Sequence, residues 1–174
     1  GETMEETEQA VQWVKESGME VYCGFIIGHP GDNVESVLTT IDFAAKLNPT
    51  VAAFGLMVPY PGTEVAEYAQ KGMHGYRLLS TDWNDYNKQY GNALELEDLP
   101  RRTMERLHAW AYIKVFLKNF RLRELAKFMW TYRKAGWYFL KKQFTKDPVV
   151  PEVEKKPVEM KDTGEAFRYL NYRT

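Results

Sequence analysis

The sequence predicts an α/β fold whose two strands run parallel, followed by an α-helical C-terminal region. Three observations predict it. Two short apolar runs, Met19 to Ile27 and Val51 to Val58, each lead into a Pro-Gly turn, Gly28-His29-Pro30-Gly31-Asp32 and Pro59-Tyr60-Pro61-Gly62-Thr63. Amphipathic segments precede, separate and follow them, and an αβαβα alternation favours parallel strands joined by right-handed crossovers. Residues 101–146 then carry 13 Lys/Arg against 2 Asp/Glu with helical periodicity.

Each element has its own local cause. Thr3-Met4-Glu5-Glu6 is a capping box that opens a helix over Met4 to Glu16, with Gly18 where a left-handed residue is wanted beyond its end. Because it opens directly on this box, the chain reads as cut from a longer one. Met19 to Ile27 becomes continuously apolar, the pattern of a strand covered on both faces. Asp32 and Glu35 read as a second capping box, followed by Val37, Leu38, Ile41, Phe43, Ala44 and Leu47 at helical spacing, and Asn48-Pro49 closes that helix. After the strand Val51 to Val58, Thr63 caps a short helix, Glu64 to Lys71, ended by Gly72. Two strands do not make a stable sheet by themselves, so the unit is expected to be part of a barrel or open sheet whose other strands lie elsewhere.

Met73 to Leu96 shows no clear period and holds Trp83, Tyr86 and Tyr90 among Asp82, Asp85 and Asn87, so it reads as a long loop folding over a site. Leu99-Pro100 introduces a helix to about Phe120, and Leu122 to Phe144 one or two more. The domain plan is therefore 1–97 for the βα units and the loop, 98–146 for a basic aromatic helical region, and 147–174 for a disordered tail in which Pro148, Pro151 and Pro157 alternate with charges.

Net charge is −1, but residues 101–146 stand at +11 and the rest at −12. The lone cysteine, Cys23, excludes an internal disulfide framework and any multi-cysteine metal site built from this chain alone. It also makes a reducing, cytoplasmic compartment the default. No apolar run approaches the roughly 18 residues of a spanning helix.

The strand ends carry the chemistry. Gly24 and Gly28 lie four apart, so in an extended strand both face one side and leave room for a flat ligand to reach the backbone; relief of crowding against a helix explains them equally well. His29 offers an acid or base at a strand end, or a hydrogen-bonded turn residue. Pro59 and Tyr60 give a rigid turn with a phenol that either meets a ligand or packs under the loop.

In order, Gly24-x-Ile26-x-Gly28-x-Pro30-Gly31-Asp32, a helix, Pro59-Tyr60-Pro61-Gly62-Thr63 and Trp83-x-x-Tyr86 resemble the C-terminal half of the radical S-adenosylmethionine (SAM) superfamily, most closely its cobalamin-binding branch, over about residues 1–90. The resemblance implies a partial (β/α) TIM-type barrel. It further implies that Gly24, Ile26 and Gly28 contact the adenine of SAM, that Leu56, Met57 and Val58 line the same pocket, and that His29, Pro59 and Tyr60 border a substrate cavity for a small molecule. Where that family's strand motif can end in Glu, three residues after its second glycine, this chain has Gly31 followed by Asp32, which leaves backbone contacts alone. The family's Cys-x-x-x-Cys-x-x-Cys loop is missing, so a 4Fe-4S cluster and any cobalamin belong to a full-length parent, a methyltransferase or cyclase. The chain ligates neither, lacks the other half of the barrel, and is expected to be inactive alone.

Residues 101–146 interleave 11 aromatic residues with their basic ones, among them Trp110, Phe116, Phe120, Phe128, Trp130, Trp137 and Phe144. Basic helices with aromatic faces suit an anionic membrane surface, which would make the protein peripheral to the membrane. Packing on the barrel with Lys and Arg in solvent accounts for the same pattern, and nucleic acid is disfavoured for want of a motif. A non-catalytic module attaching a partner to a membrane is the alternative to the enzyme fragment.

Overall fold

The structure, a computed structural model, describes residues 3–89 and 92–144. Tyr90, the last two residues of the basic region and the expected tail lie outside the described residues. The elements are α1 (Met4–Glu16), β1 (Tyr22–Ile27), α2 (Val34–Leu47), β2 (Val51–Leu56), α3 (Glu64–Lys71), β3 (Tyr76–Leu78), β4 (Leu94–Leu96), α4 (Arg101–Lys118), α5 (Leu122–Thr131) and α6 (Arg133–Phe144), with a short 3-10 turn at Trp83–Asp85.

β1 and β2 are parallel, with Tyr22 opposite Val51, Gly24 opposite Ala53 and Ile26 opposite Gly55. Facing residues of a parallel pair point to the same side of the sheet, so the register sorts the two strands into two faces. Cys23, Phe25 and Ile27 join Ala52, Phe54 and Leu56 on the covered face, Cys23 at the end packed with Val11 of α1 and the rest under α2 and α4; there Phe25 and Phe54 stack at 5.2 Å and Tyr112 meets Phe54 edge-on. Ile27, Ile41, Leu56, Leu99 and Met104 are essentially buried in that core.

The opposite face corrects one expectation. Its apolar run predicts a strand covered on both sides, yet Tyr22 is 73% and Ile26 48% exposed, and Gly24 lies open beside them. Among the described residues the strands form two separate two-stranded sheets and do not close a barrel.

Two further expectations are corrected. α2 is capped by Asn33, whose side-chain oxygen accepts from Glu35 and Ser36 N–H, and the reciprocal partner is Ser36, so Asp32 and Glu35 are not the capping pair. Asp32 is drawn instead into the preceding loop. Met73 to Leu96 is not one long loop either. β3 and β4 pair antiparallel within it, Tyr76 opposite Leu96, and bury Tyr76 and Leu94. Their runs of three residues are too short for an alternating signal to emerge.

The other boundaries follow the local chemistry. Thr3 and Glu6 form the capping box of α1, Gly18 takes φ +79° after its end, Asn48 turns left-handed at φ 45° to close α2, and Thr63 and Gly72 bracket α3. No described helix is long and apolar enough to cross a membrane.

Candidate functional site

Both strands end on the same side of the molecule, and the loops that follow them touch. Met57 N–H donates to Ile27 C=O at 2.8 Å, and a Cβ placed on Gly28 would stand 3.3 Å from Met57 Cβ. This is the end at which parallel α/β sheets bind ligands.

The first loop is locked from inside. One carboxylate oxygen of Asp32 accepts from Gly28 N–H and His29 N–H, each at 2.9 Å, and the other accepts from Ser36 Oγ at 2.7 Å. From the far side the Tyr76 hydroxyl donates to Gly28 C=O at 2.7 Å. Burial, with the Asp32 charge nearby, pushes the Tyr76 phenol well above its usual value, so it remains a donor across the working pH range.

β1 ends at Ile27, and Gly28 turns away at φ +100° with its absent side chain directed at Met104, Met57 and Leu96. Gly24 and Gly28 therefore do not share a face. Both polar groups of the Gly28 backbone are engaged within the protein, whereas Gly24 has nothing within 4 Å of its Cβ direction.

The other named residues divide in the same way. Gly24 and Ile26 lie on the open face; Leu56, Val58 and Pro59 are buried, with Leu56 in the core, and Met57 packs partly against it. His29 is exposed at the tip of its loop. Tyr60, half-buried, meets Tyr86 at 6.1 Å, and Tyr86 meets Trp83 at 5.2 Å, so the segment after β3 does reach the second strand end. Thr63 holds that turn by donating from Oγ1 to Tyr60 C=O at 2.7 Å.

Sequence reasoning missed two groups. Ala53 and Gly55 stand opposite Gly24 and Ile26 and put small, half-buried residues on the β2 side of that face, with the Lys88 side chain beside Gly55; aligning the two apolar runs in parallel register would have found them. The second group is a polar row on α4. Arg101, Glu105, His108 and Tyr112 recur at intervals of four, three and four, which puts them on one side of a helix. Tyr112 Oη accepts from Phe54 N–H at 3.1 Å and donates to Phe54 C=O at 3.3 Å, and His108 Nε2 donates to the same carbonyl at 3.0 Å. Leu56 N–H donates to Lys88 C=O at 2.6 Å. These are backbone groups of β2 that point away from β1, so the outer edge of β2 is closed.

The edge of β1 differs. Among the described residues no hydrogen bond reaches the outward backbone groups of Tyr22, Gly24 and Ile26. Burial holds His108 below the usual histidine value, and the Arg101 charge adds to this, so the ring is neutral and keeps its proton for Phe54. Arg101 stands with Nε 3.5 Å from Glu105 Oε1; burial lowers its pKa while Glu105, Asp85 and Glu95 oppose the shift.

Cys23 is half-buried on the covered face against the cluster of Val11, Val21 and Leu47, and burial raises its thiol pKa. Among the described residues no group of three or more His, Cys, Asp or Glu side chains is placed to hold a metal ion. One half-buried thiol does not fit an iron–sulfur cluster.

No family model matches the chain, and no solved structure matches it. Over 118 residues it is 33% identical to an uncharacterized methyltransferase of Pyrococcus horikoshii, an alignment that takes in 68% of this chain and 25% of that protein. The chain thus spans about a quarter of the length of the curated relative it matches.

Proposed function

We propose that this chain is the C-terminal βα portion of a SAM-dependent enzyme of the radical SAM type, most like the cobalamin-binding branch, and that the open face of β1 and β2 is one wall of its SAM pocket. The observation that carries this reading is that face: Gly24 and Ile26, exposed, opposite Ala53 and Gly55, half-buried with the Lys88 side chain beside Gly55, an apolar surface with two glycines next to two joined strand-end loops. A flat purine can lie against such a surface and meet backbone that side chains elsewhere would cover.

The asymmetry of the sheet supports the same reading. With β2 closed by Tyr112, His108 and the Lys88 carbonyl, further parallel strands can join only at β1, and strands added there would extend the open face into a cavity wall. A methyltransferase relative about four times the aligned length is consistent with such a partner segment, and methyl transfer commonly draws on SAM.

In this reading Gly24 and Ile26 bind the adenine, and Asp32 and Tyr76 hold the Gly28 peptide so that the first loop keeps its shape. His29 at the first loop tip and Tyr60 on the second loop face the substrate. The residues present do not fit the iron–sulfur cluster, so reductive cleavage of SAM is assigned to the remainder of a longer protein.

Gly24→Val tests the proposal cleanly, because a Cβ there meets nothing within 4 Å, the position faces solvent and the residue is not held at positive φ. In the full-length parent the variant should keep its thermal midpoint and lose roughly tenfold or more in SAM affinity by equilibrium dialysis, since a filled face denies close backbone approach. Unchanged affinity would sink the assignment of this face.

A further inference from the structure

We propose that α5 and α6 form a docking surface for an anionic lipid bilayer. The proposal is independent of the SAM reading and starts from what the core leaves uncovered. On α5, Phe128 stacks on Tyr112 at 5.1 Å and also meets Phe116, which fixes the side turned toward α4. At 100° per residue, Leu122, Ala126, Met129 and Trp130 continue the apolar arc past that contact and into solvent. None of the residues of α5 is fully buried, and Trp130 is 71% exposed. α6 repeats the arrangement with Trp137, 73% exposed, and Leu140. Phe120, at the corner between α4 and α5, is 88% exposed.

Charge selects the occupant. Arg123 and Lys127 flank the open arc of α5, Lys134 and Lys141 flank that of α6, and all four are exposed. The Arg133 guanidinium lies over the Trp130 ring at 4.7 Å, which keeps a cation beside the apolar row. Glu124, the acidic residue of α5, is paired with Arg121 and sits on the other side of the helix. Tryptophan rings with lysine and arginine within one turn match the boundary between acyl chains and anionic headgroups, where apolar area and charge are satisfied together. Nucleic acid would satisfy the charge and leave Leu122, Met129 and Leu140 wet.

Co-sedimentation of the whole chain with phosphatidylglycerol-containing vesicles, against vesicles of phosphatidylcholine alone, tests this. Binding is expected to the anionic vesicles at about 0.1 M salt and should fade toward about 1 M, as the screening length falls from about 10 Å to about 3 Å. Trp130→Ala with Trp137→Ala should weaken it roughly tenfold or more, because binding scales with inserted apolar area. Lys127→Glu and Lys134→Glu should each weaken it by at least about fivefold. All these side chains are exposed, so urea midpoints should match the wild type and confirm that the variants are folded. No binding to anionic vesicles at about 0.1 M salt, or undiminished binding by the folded double tryptophan variant, would overturn the proposal. So would salt-sensitive dimerisation in vesicle-free light scattering that the same variant abolishes, since the acidic remainder of a second copy would then be the occupant.

Discussion

Gly28 concentrates most of the constraint at the strand ends. A methyl group there would lie 2.6 Å from Met104 Cε, the movable end of a flexible side chain, but the residue is also held at φ +100°, which no side chain rearrangement relieves. Backbone strain therefore outweighs the clash, and Gly28→Ala should cost about 1–3 kcal/mol in urea unfolding, with little recovery when combined with Met104→Ala. Tyr76→Phe removes the donor to Gly28 C=O inside the core and leaves that carbonyl buried, a loss of about 1–3 kcal/mol by the same measurement. His108 supplies the pH dependence. Its folded pKa is depressed, so the unfolded imidazole binds the proton more tightly, and stability should fall as pH drops below about 6.5, the unfolded value. His108→Gln retains a donor for Phe54 C=O and removes the titration, so its unfolding free energy should vary less between about pH 7 and 5 than that of the wild type.

At the scale of elements, α4 does the work that another strand would do at the edge of β2. Its polar row hydrogen-bonds Phe54 while Met104, Ala111 and Val115 pack into the core on adjoining positions. Tyr112→Phe should therefore open one rung of that edge: hydrogen exchange of the Phe54 amide is expected to accelerate about tenfold or more, with β1 amides paired to β2 less affected. Most elements were legible in the sequence because their boundaries are set locally. Thr3 with Glu6, Thr63 with Ala66, Asn48 and Gly72 each satisfy or release backbone groups within a few residues, so the caps can be read without knowing the fold. The pair β3 and β4 was not legible, since three-residue strands owe their existence to a partner sixteen or more positions away. Asp32 misled for a related reason: a carboxylate before a helix suits an N-cap, but Asn33 filled that role and left Asp32 to bind Gly28 and His29.

At the scale of the whole molecule, one face of β1 and β2 and one side of α5 and α6 remain apolar and wet. The sheet face should bind the dye ANS, and Tyr22→Ser with Ile26→Ser should lower its fluorescence while the thermal midpoint shifts by no more than a few degrees, because both side chains already stand in solvent. The amino-acid sequence by itself determined the order of α1, β1, α2, β2 and α3 and the helices after Pro100, the parallel sense of β1 and β2, the Pro-Gly strand ends and the separation of a basic aromatic segment from an acidic remainder. All of these follow from periodicity, caps and composition, which act over one or two turns of chain. Only the tertiary structure decided that Gly28 turns out of the strand, that Asp32 and Tyr76 grip its peptide, that Ala53 and Gly55 join Gly24 and Ile26, and that β2 is closed while β1 is open. Each of those depends on which distant groups meet, and a hydrogen bond from Tyr76 to Gly28 or from Phe54 to Tyr112 spans about fifty residues of chain whose path local chemistry does not specify.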